Sequence, residues 1–289
     1  SIPSNKFLST PFYLISIFYK FFFPTFFWLL LKPKSYSVGS HVDLTPTPSF
    51  LYRNYLYKKI VGRLPKESFF LDVGTGNGVF LNDLIKVGFK GEAIDISREA
   101  IEFAKNQLEE KDKEIIKVAD LFKYKPLRLY DAVLCFETLE HIKNDKIALK
   151  KIYNLLKPGG IFVLSVPAHK LEWSTIDELK GHFRRYEKDE LKDKILNSGF
   201  QIQEIYSYGF PFLSLARRVS GGGRLLRSKS KQRDTRIKTK ESSIQQEYNP
   251  KLRFLMNDFI LLPFFKLMDL FLRSDLGIGY IAVSMRPQE

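Results

Sequence analysis

The chain has almost no cysteine, since Cys135 is the single one among 289 residues. No disulfide can therefore form within it, and neither a cysteine zinc site nor a small fold held by disulfides is available. A reducing, cytoplasmic setting fits this composition.

Acidic residues are in deficit. The 46 lysines and arginines outnumber the 32 aspartates and glutamates, which gives a formal net charge of +14 at pH 7. Such a charge favours an anionic partner, which can be nucleic acid, an anionic membrane surface or an acidic substrate. No recognisable RNA-binding domain accompanies the charge, so nucleic acid is the least favoured of the three.

The chain also lacks an uninterrupted apolar run of membrane-spanning length. Residues 7–31 come nearest, and many of the 26 phenylalanines lie there, but Pro11, Lys20 and Pro24 interrupt the run. A central lysine costs about 3 kcal/mol, which roughly offsets the 0.3 to 0.6 kcal/mol contributed by each Leu, Ile or Phe. We therefore expect attachment to an anionic membrane interface more than a true span.

A stretch rich in proline, serine and threonine follows, and it predicts a linker without regular structure. The sequence thus divides into two parts. Residues 1–49 are the predicted membrane-associating segment and linker, and residues 50–289 are the predicted catalytic domain.

Within the catalytic domain, short apolar segments alternate with helical ones, which is typical of an α/β fold with a parallel sheet covered on both faces. An insertion, residues 211–276, contains a basic loop at 224–240 and an amphipathic helical pair that we expect to break at Pro263. Seven strands are predicted, at residues 69–73, 92–96, 115–118, 130–136, 160–166, 200–208 and 279–285. Helices are predicted at residues 50–62, 79–87, 98–111, 146–156 and 188–197.

A glycine-rich turn, LDVGTGNG at residues 71–78, follows the first of these strands. Glycines at such a turn let the backbone approach a ligand closely. Val79 stands where a dinucleotide-binding GxGxxG motif needs its last glycine, which disfavours a nicotinamide-dependent oxidoreductase. Asp95 ends the second strand, where a carboxylate can accept hydrogen bonds from ribose hydroxyls. Asp120 follows the third strand, in position for an adenine amino group.

Taken together, LDVGTGNG, EAIDIS, VADLF, YDAVLCFETLEHI, LLKPGGIFVLSVP and GYIAVSMRP resemble the motifs of class I methyltransferases that use S-adenosyl-L-methionine (SAM), of the type 11/23-like kind. The resemblance covers residues 50–287. It implies a Rossmann-like, seven-stranded sheet whose last strand is antiparallel, with SAM as the cofactor. The cofactor-binding residues that it implies are Asp72, Gly74, Thr75, Gly76, Asn77, Gly78, Asp95, Ile96, Asp120, Leu121, Cys135, Phe136 and Glu137.

The resemblance also implies a role for parts of this set. Asp72 and the turn backbone would hold the methionine portion of SAM, and Asp95 would bind ribose. Asp120 and Leu121 would frame the adenine. The residues that would border the sulfonium are Cys135, Phe136 and Glu137.

Methyl transfer needs alignment more than acid–base groups, so the catalytic residues are harder to identify. His141 and His182 are the candidate bases, because histidine titrates near neutral pH. Capping or packing is the alternative role for His141. The resemblance places His182 in an active-site lid, and the predicted substrate contacts there are Arg184, Arg185 and Tyr186.

One further element has a possible metal-binding role. Glu137, Glu140 and His141 are similar to an EXXEH metal-binding element in ubiquinone-pathway O-methyltransferases. Ordinary polar packing is the default explanation for three such residues, and we expect no metal ion.

The apolar N-terminal stretch, the insertion and the basic loop together predict an enzyme that methylates a lipophilic or membrane-associated small molecule. A soluble small-molecule methyltransferase, with both apolar segments packed on the domain, is the main alternative. RNA methylation is encouraged by charge alone. A non-catalytic scaffold with this fold is disfavoured by the intact Gly74, Gly76, Asp95 and Asp120.

Overall fold

The computed structural model of the protein describes residues 36–38, 42–44, 47–219 and 258–288. The predicted membrane-associating stretch, residues 7–31, and the basic loop, residues 224–240, lie outside the described residues. In the described ranges, no helix has both the length and the apolar character needed to cross a bilayer.

Nine strands and eight α-helices are described, and both sets are numbered in chain order. The strands are β1 Tyr36–Val38, β2 Val42–Leu44, β3 Phe69–Val73, β4 Lys90–Asp95, β5 Ile116–Val118, β6 Tyr130–Phe136, β7 Leu156–Pro167, β8 Gln201–Tyr208 and β9 Gly279–Met285. The helices are α1 Pro48–Val61, α2 Val79–Lys86, α3 Arg98–Lys105, α4 Asp145–Leu155, α5 Thr175–Lys180, α6 Lys188–Asn197, α7 Phe212–Val219 and α8 Asp258–Asp269.

Seven strands form the central sheet in the order β5-β4-β3-β6-β7-β9-β8. The neighbours from β5 to β7 pair in parallel, whereas β9 lies antiparallel between β7 and β8. This confirms the predicted Rossmann-like fold with an antiparallel last strand. The chain order reverses at β3 and β6, so the loops after these two strands flank the crevice in which such folds bind ligands.

The core lies on both faces of this sheet. Leu134 of β6 packs with residues of α1, α2, α3 and α8 on one face, whereas Cys135 packs with residues of α4 and α6 on the other. This alternation follows from the two-residue period of a strand. The domain therefore has three layers, and its polar loops collect at the ends of the strands.

Helix α1 begins at the end of the proline-rich stretch. The Thr47 side chain accepts a hydrogen bond from the backbone N–H of Phe50 at 3.2 Å, and Pro48 occupies the first helical position. Both features favour a helix start, because a side-chain acceptor satisfies an otherwise free N–H and proline has no N–H to lose. The helix thus starts two residues before its predicted position.

Two predictions of local structure were wrong. The predicted linker contains a short antiparallel pair, β1 with β2, built from Tyr, Val and Leu, which favour strands despite the prolines nearby. Helix α8 continues through Pro263 instead of breaking there. Proline removes one helical hydrogen bond, but Phe265 and Met268 are buried in the core beyond it and hold the second half of the helix in place.

A glycine fixes the joint between β3 and α2. Gly78 caps α2 with a left-handed backbone, φ +70°, and a Cβ on it would lie 2.6 Å from the Cβ of Ala104 in α3. Gly88 also has a positive φ, +91°, but a Cβ there would meet nothing within 4 Å. The two positions separate backbone strain from steric overlap.

We expect Gly88→Ala to lower the free energy of unfolding by about 1 to 2 kcal/mol, the cost of a left-handed alanine. Gly78→Ala adds the overlap with Ala104 and is expected to cost about 1 to 3 kcal/mol more. Urea denaturation of the two variants measures the difference. Equal losses for both variants would contradict the close packing of α2 against α3.

Candidate active site

The glycine-rich turn crosses the end of β4. The N–H of Gly74 donates to the carbonyl of Ile94 at 2.8 Å, and the N–H of Thr75 donates to the same oxygen at 3.3 Å. Asn77 then accepts a hydrogen bond from the N–H of Val79 at the start of α2. The turn is therefore anchored at both ends and presents its backbone at the carboxyl edge of the sheet.

The turn also approaches the loop after β6 very closely. Gly74 has φ +77°, and a Cβ there would lie 2.2 Å from the hydroxyl oxygen of Thr138. Gly76 has φ +56°. Only glycine is compatible with this backbone and this distance at position 74, so the glycines shape a cradle of main-chain atoms.

The Asp95 side chain anchors the backbone of this turn. Its carboxylate accepts the N–H of Gly76 at 2.9 Å and the N–H of Ser97 at 2.8 Å. Burial raises the pKa of Asp95, and these backbone hydrogen bonds oppose the shift. Ile96, next to it, is an exposed apolar side chain at the same edge. Asp95 is therefore engaged with the turn backbone, whereas Ile96 is exposed beside it.

The next candidates follow β5. The Asp120 side chain is half-buried and accepts the N–H of Phe122 at 2.9 Å, whereas Leu121 is buried. Phe122 itself is exposed. The structure thus places Asp120 at the same sheet edge as Asp95, one strand further out, as the sequence predicted.

Asp72, at the end of β3, is a buried carboxyl with an unusual pKa. Burial raises this pKa to about 7, the negative charge of Asp95 adds to the shift, and a hydrogen bond with Thr75 opposes it. Asp72 therefore changes charge close to neutral pH.

The prediction for Cys135 was wrong as far as its side chain is concerned. The thiol is fully buried on the face of the sheet that α4 and α6 cover. Strand alternation points Phe136 to the opposite face, where its ring stacks on Tyr57 with centroids 3.8 Å apart. Only the main chain of Cys135 remains available to the crevice.

Glu137 follows β6 with a left-handed backbone, φ +49°, which is strained for a residue other than glycine. Its carboxylate is paired with Arg53 at 2.6 Å and accepts hydrogen bonds from Ser165 at 2.9 Å and Tyr208 at 3.2 Å. Burial is the largest single effect and disfavours the charge, but Arg53 and the hydrogen bond from Ser165, with smaller contributions from other neighbours, together outweigh it, so the pKa of Glu137 is lowered. Interactions from three different elements thus hold the strained residue in place.

Sequence reasoning missed these partners of Glu137. Arg53 and Tyr57 lie one turn apart on α1. The signal in the sequence that could have indicated Arg53 was therefore a cationic side chain on a helix face that is otherwise aromatic. Ser165 and Tyr208 lie on β7 and β8 and carry no local signal.

The segment after β7, residues 168–186, is named the lid segment here. Within it, Asp177 accepts hydrogen bonds from Arg185 at 2.9 Å and pairs with His182 at 3.0 Å. Burial disfavours the charge on Asp177, but these partners lower its pKa well below the usual range. Arg184 pairs with Asp145 at 2.6 Å.

Two predicted substrate contacts do not fit this arrangement. Arg185 and Tyr186 are buried, with Arg185 bound to Asp177 and Tyr186 bound to Asp145. Their partners are acidic side chains inside the protein, so both residues hold the lid segment in place instead of facing an acceptor. Arg184 retains partial exposure beside Asp145.

The two candidate bases lie next to each other, with ring centroids of His141 and His182 4.7 Å apart. Burial lowers the pKa of His141 to about 3, and the charge of His182 adds to the shift. A base this weak accepts protons poorly at neutral pH, which argues against His141 as the general base. His182 is tied to Asp177 and is nearly buried.

Residues 51–205 match the family model described as a methyltransferase domain. The chain belongs to this family. It is similar to ubiquinone biosynthesis O-methyltransferases, with 29% identity to that of Proteus mirabilis over 42% of this chain and 50% of the relative. The enzyme of Xanthomonas campestris pv. campestris (strain B100) is 35% identical over 33% of this chain and 41% of the relative. The chain thus spans half or less of the length of these two curated relatives.

Solved structures share the fold. A SAM-dependent methyltransferase from Archaeoglobus fulgidus has 16% identity and a TM-score of 0.51, over 83% of this chain and 94% of that one. Phosphoethanolamine N-methyltransferase 2 of Haemonchus contortus, in complex with SAM, has 17% identity and a TM-score of 0.51, over 82% and 52%. The [4+2]-cyclase SpnF has 16% identity and a TM-score of 0.52, over 82% of both chains.

SAM is the cofactor of this methyltransferase, and the crevice fits it. The turn has a left-handed backbone at Gly74 and Gly76, Asp95 anchors it through the N–H of Gly76, and Ile96 is exposed beside Asp95. These residues would hold the nucleoside part, and Asp72 would face the charged methionine part. When bound, SAM supplies an electrophilic methyl group, so the protein has only to orient the acceptor and exclude water.

We expect Asp95→Ala to weaken SAM binding more than tenfold. The variant loses both the carboxylate for ribose and the anchor of Gly76, and hydrogen bonds to a charged group contribute about 1.5 to 3 kcal/mol each. Calorimetric titration measures the affinity, with the exposed surface variant Asp193→Ala as control. A folded Asp95→Ala protein with unchanged affinity would exclude this assignment.

We also expect the affinity for S-adenosylhomocysteine, which has the same α-ammonium and α-carboxylate groups as SAM, to fall about tenfold as the pH is lowered from 8 to 6. A pKa of about 7 leaves Asp72 mostly protonated at pH 6, and the neutral form does not attract an α-ammonium group. Asp72→Asn should bind weakly and without this pH dependence. A wild-type affinity that is flat between pH 6 and pH 8 would contradict the role of Asp72.

The same raised pKa of Asp72 should make the folded state lose stability as the pH rises from about 4 to about 7.

Proposed function

We propose that this protein transfers the methyl group of SAM to a small lipophilic acceptor that is held at, or reaches it from, an anionic membrane surface. The observation that carries the proposal is the apolar surface of the lid segment. Five large apolar side chains are exposed within it, and Leu171 is 100% exposed. The five are Leu171, Trp173, Ile176, Leu179 and Phe183.

This apolar surface adjoins the crevice. The N–H of Phe183 donates to the carbonyl of Glu140 at 2.8 Å, which joins the end of the lid segment to the loop after β6. The same loop contains Thr138, which packs against Gly74 of the cradle. A lipophilic molecule that enters along the lid segment would therefore arrive beside the cofactor residues.

Large exposed apolar patches are uncommon on soluble monomers unless they meet a ligand, a partner or a membrane. Leu267 of α8 and Leu270, which directly follows this helix, add a second exposed apolar region. The net charge of +14 favours anionic lipid as the surface that both regions meet. The proposed location is accordingly cytoplasmic and membrane-associated, with residues 1–49 as a further attachment element.

The acceptor class also has support from the relatives. Their names describe O-methyltransferases of ubiquinone biosynthesis, which favours oxygen as the methylated atom here. In this proposal the edge of β3 and β4 binds the cofactor, whereas the loop after β6 and the lid segment bind the acceptor. Burial makes His141 a weak base, so alignment of the acceptor by Glu137 and its partners would carry most of the catalytic effect.

A soluble small-molecule methyltransferase is the second candidate. Helix α8 favours it in part, because Phe265 and Met268 pack into the core and are not available to contact lipid. Activity with labelled SAM on lipid extracts and on polar extracts separates the two candidates. Methylation confined to the polar extract would exclude the lipophilic acceptor.

The membrane part of the proposal has its own test. The double variant Ile176→Glu/Leu179→Glu should float at least tenfold less with vesicles of phosphatidylglycerol and phosphatidylcholine, since each buried apolar side chain contributes about 1.5 to 3 kcal/mol. The control Leu127→Glu/Leu196→Glu makes the same changes at two exposed leucines outside the lid segment and should float like the wild type. Equal flotation of both double variants would contradict docking by the lid segment.

A further inference from the structure

A second group of polar residues lies beside the cofactor crevice and is separate from the residues that we assign to SAM. Glu140 and His141 come from the turn after β6, and His182 follows α5. One donor atom from each of the three lies within 4.8 Å of the others. The Glu140 side chain is fully buried, yet neither of its carboxylate oxygens has a hydrogen-bond partner. A buried carboxylate without a partner is costly and indicates a missing cation or proton.

Both imidazoles are held in place by neighbouring groups. Nδ1 of His182 pairs with Asp177 at 3.0 Å, so that Nε2 lies 3.9 Å from Oε1 of Glu140. His141 is hydrogen-bonded to the backbone of Gly181. Metal-binding histidines are commonly held in this way, with one ring nitrogen on a carboxylate or carbonyl and the other on the ion.

The set assembled in space differs from the one that spacing along the chain suggested. Glu137, the first residue of the EXXEH element, is occupied by Arg53 and Ser165. His182, distant in sequence, lies near Glu140 instead. The resulting donor set is two nitrogens and one carboxylate, and the resemblance to EXXEH did not contain it.

We propose that Glu140, His141 and His182 bind one divalent transition-metal ion. Two imidazoles with one carboxylate favour Zn²⁺, Fe²⁺ or Mn²⁺ over Mg²⁺, which prefers oxygen ligands throughout. The ion would join the loop after β6 to the lid segment, since its ligands come from both. It would also neutralise the buried carboxylate of Glu140. Three protein ligands leave at least one coordination position for a water or an oxygen-bearing molecule.

The alternative is a metal-free cluster in which Glu140 holds a proton and packs against His182. Only the proposed site binds one metal ion per chain, and this binding is measured without SAM or acceptor. A failure of the proposed acceptor class would therefore leave this inference intact, and the reverse is also true.

The test uses the full chain, stripped with a chelator and titrated with Co²⁺, whose visible absorption reports coordination by nitrogen and oxygen ligands. We expect one Co²⁺ per chain, displaced by Zn²⁺, with a rise in the melting temperature on Zn²⁺ addition. Glu140→Gln should weaken Co²⁺ binding at least a hundredfold and abolish the rise. It should still fold, because the oxygens of Glu140 have no partners to lose.

His182→Gln is the second variant, and His169→Gln is the matched control, because His169 contacts Tyr280 and Glu187 outside the cluster. His182→Gln should lose Co²⁺ binding, whereas His169→Gln should retain it. Absence of a Co²⁺ band in the wild type, or equal binding by wild type and Glu140→Gln, would overturn the proposal in favour of the protonated cluster. Titration with S-adenosylhomocysteine should give the same affinity, within twofold, for Glu140→Gln and wild type.

Discussion

The burial of carboxylates at the carboxyl edge of the sheet is the constraint on which the rest of the site depends. Four acidic residues lie there, and burial favours the neutral form of each. Asp95 is stabilised by backbone N–H groups of the turn, and Glu137 by the guanidinium of Arg53. Asp72 is left with a pKa of about 7, and the carboxylate of Glu140 has no hydrogen-bond partner. Asp72 and Asp95 thus belong to the proposed cofactor side of the crevice, whereas Glu140 belongs to the cluster beside it.

The lid segment depends on the same principle. Asp177 is buried and its charge is balanced by Arg185 and His182, while Asp145 of α4 is balanced by Arg184 and Lys194. These pairs fix the backbone of the lid segment, so its apolar side chains do not need to pack inside to keep it ordered. An ordered segment with exposed apolar groups is suited to contact with a lipophilic molecule, because little conformational entropy remains to be lost on binding.

The sequence allowed the sheet and the cofactor turn to be predicted, since both depend on local patterns. Strands β3, β6 and β9 have the predicted bounds, and the turn at Gly74 to Gly78 lies where the motif indicates. The pair Arg53–Glu137 joins residues 84 positions apart, and no local pattern reports such a contact. The burial of Cys135 was missed because the motif gives the position of a strand end but not the face that each side chain takes. Arg185 was misjudged because an arginine in a loop is normally exposed, and its buried partner Asp177 is visible only in three dimensions.

The fold alone does not fix the chemistry, and the structural neighbours illustrate this. SpnF shares the architecture at 16% identity and is described as a [4+2]-cyclase, whereas the other neighbours are methyltransferases. Function therefore has to be argued from the site, and in this chain the loop after β6 and the lid segment meet at Phe183 and Glu140. These two parts carry both the exposed apolar side chains and the Glu140–His141–His182 cluster. Our proposals for the acceptor and for the metal ion accordingly rest on residues that the cofactor motifs do not include.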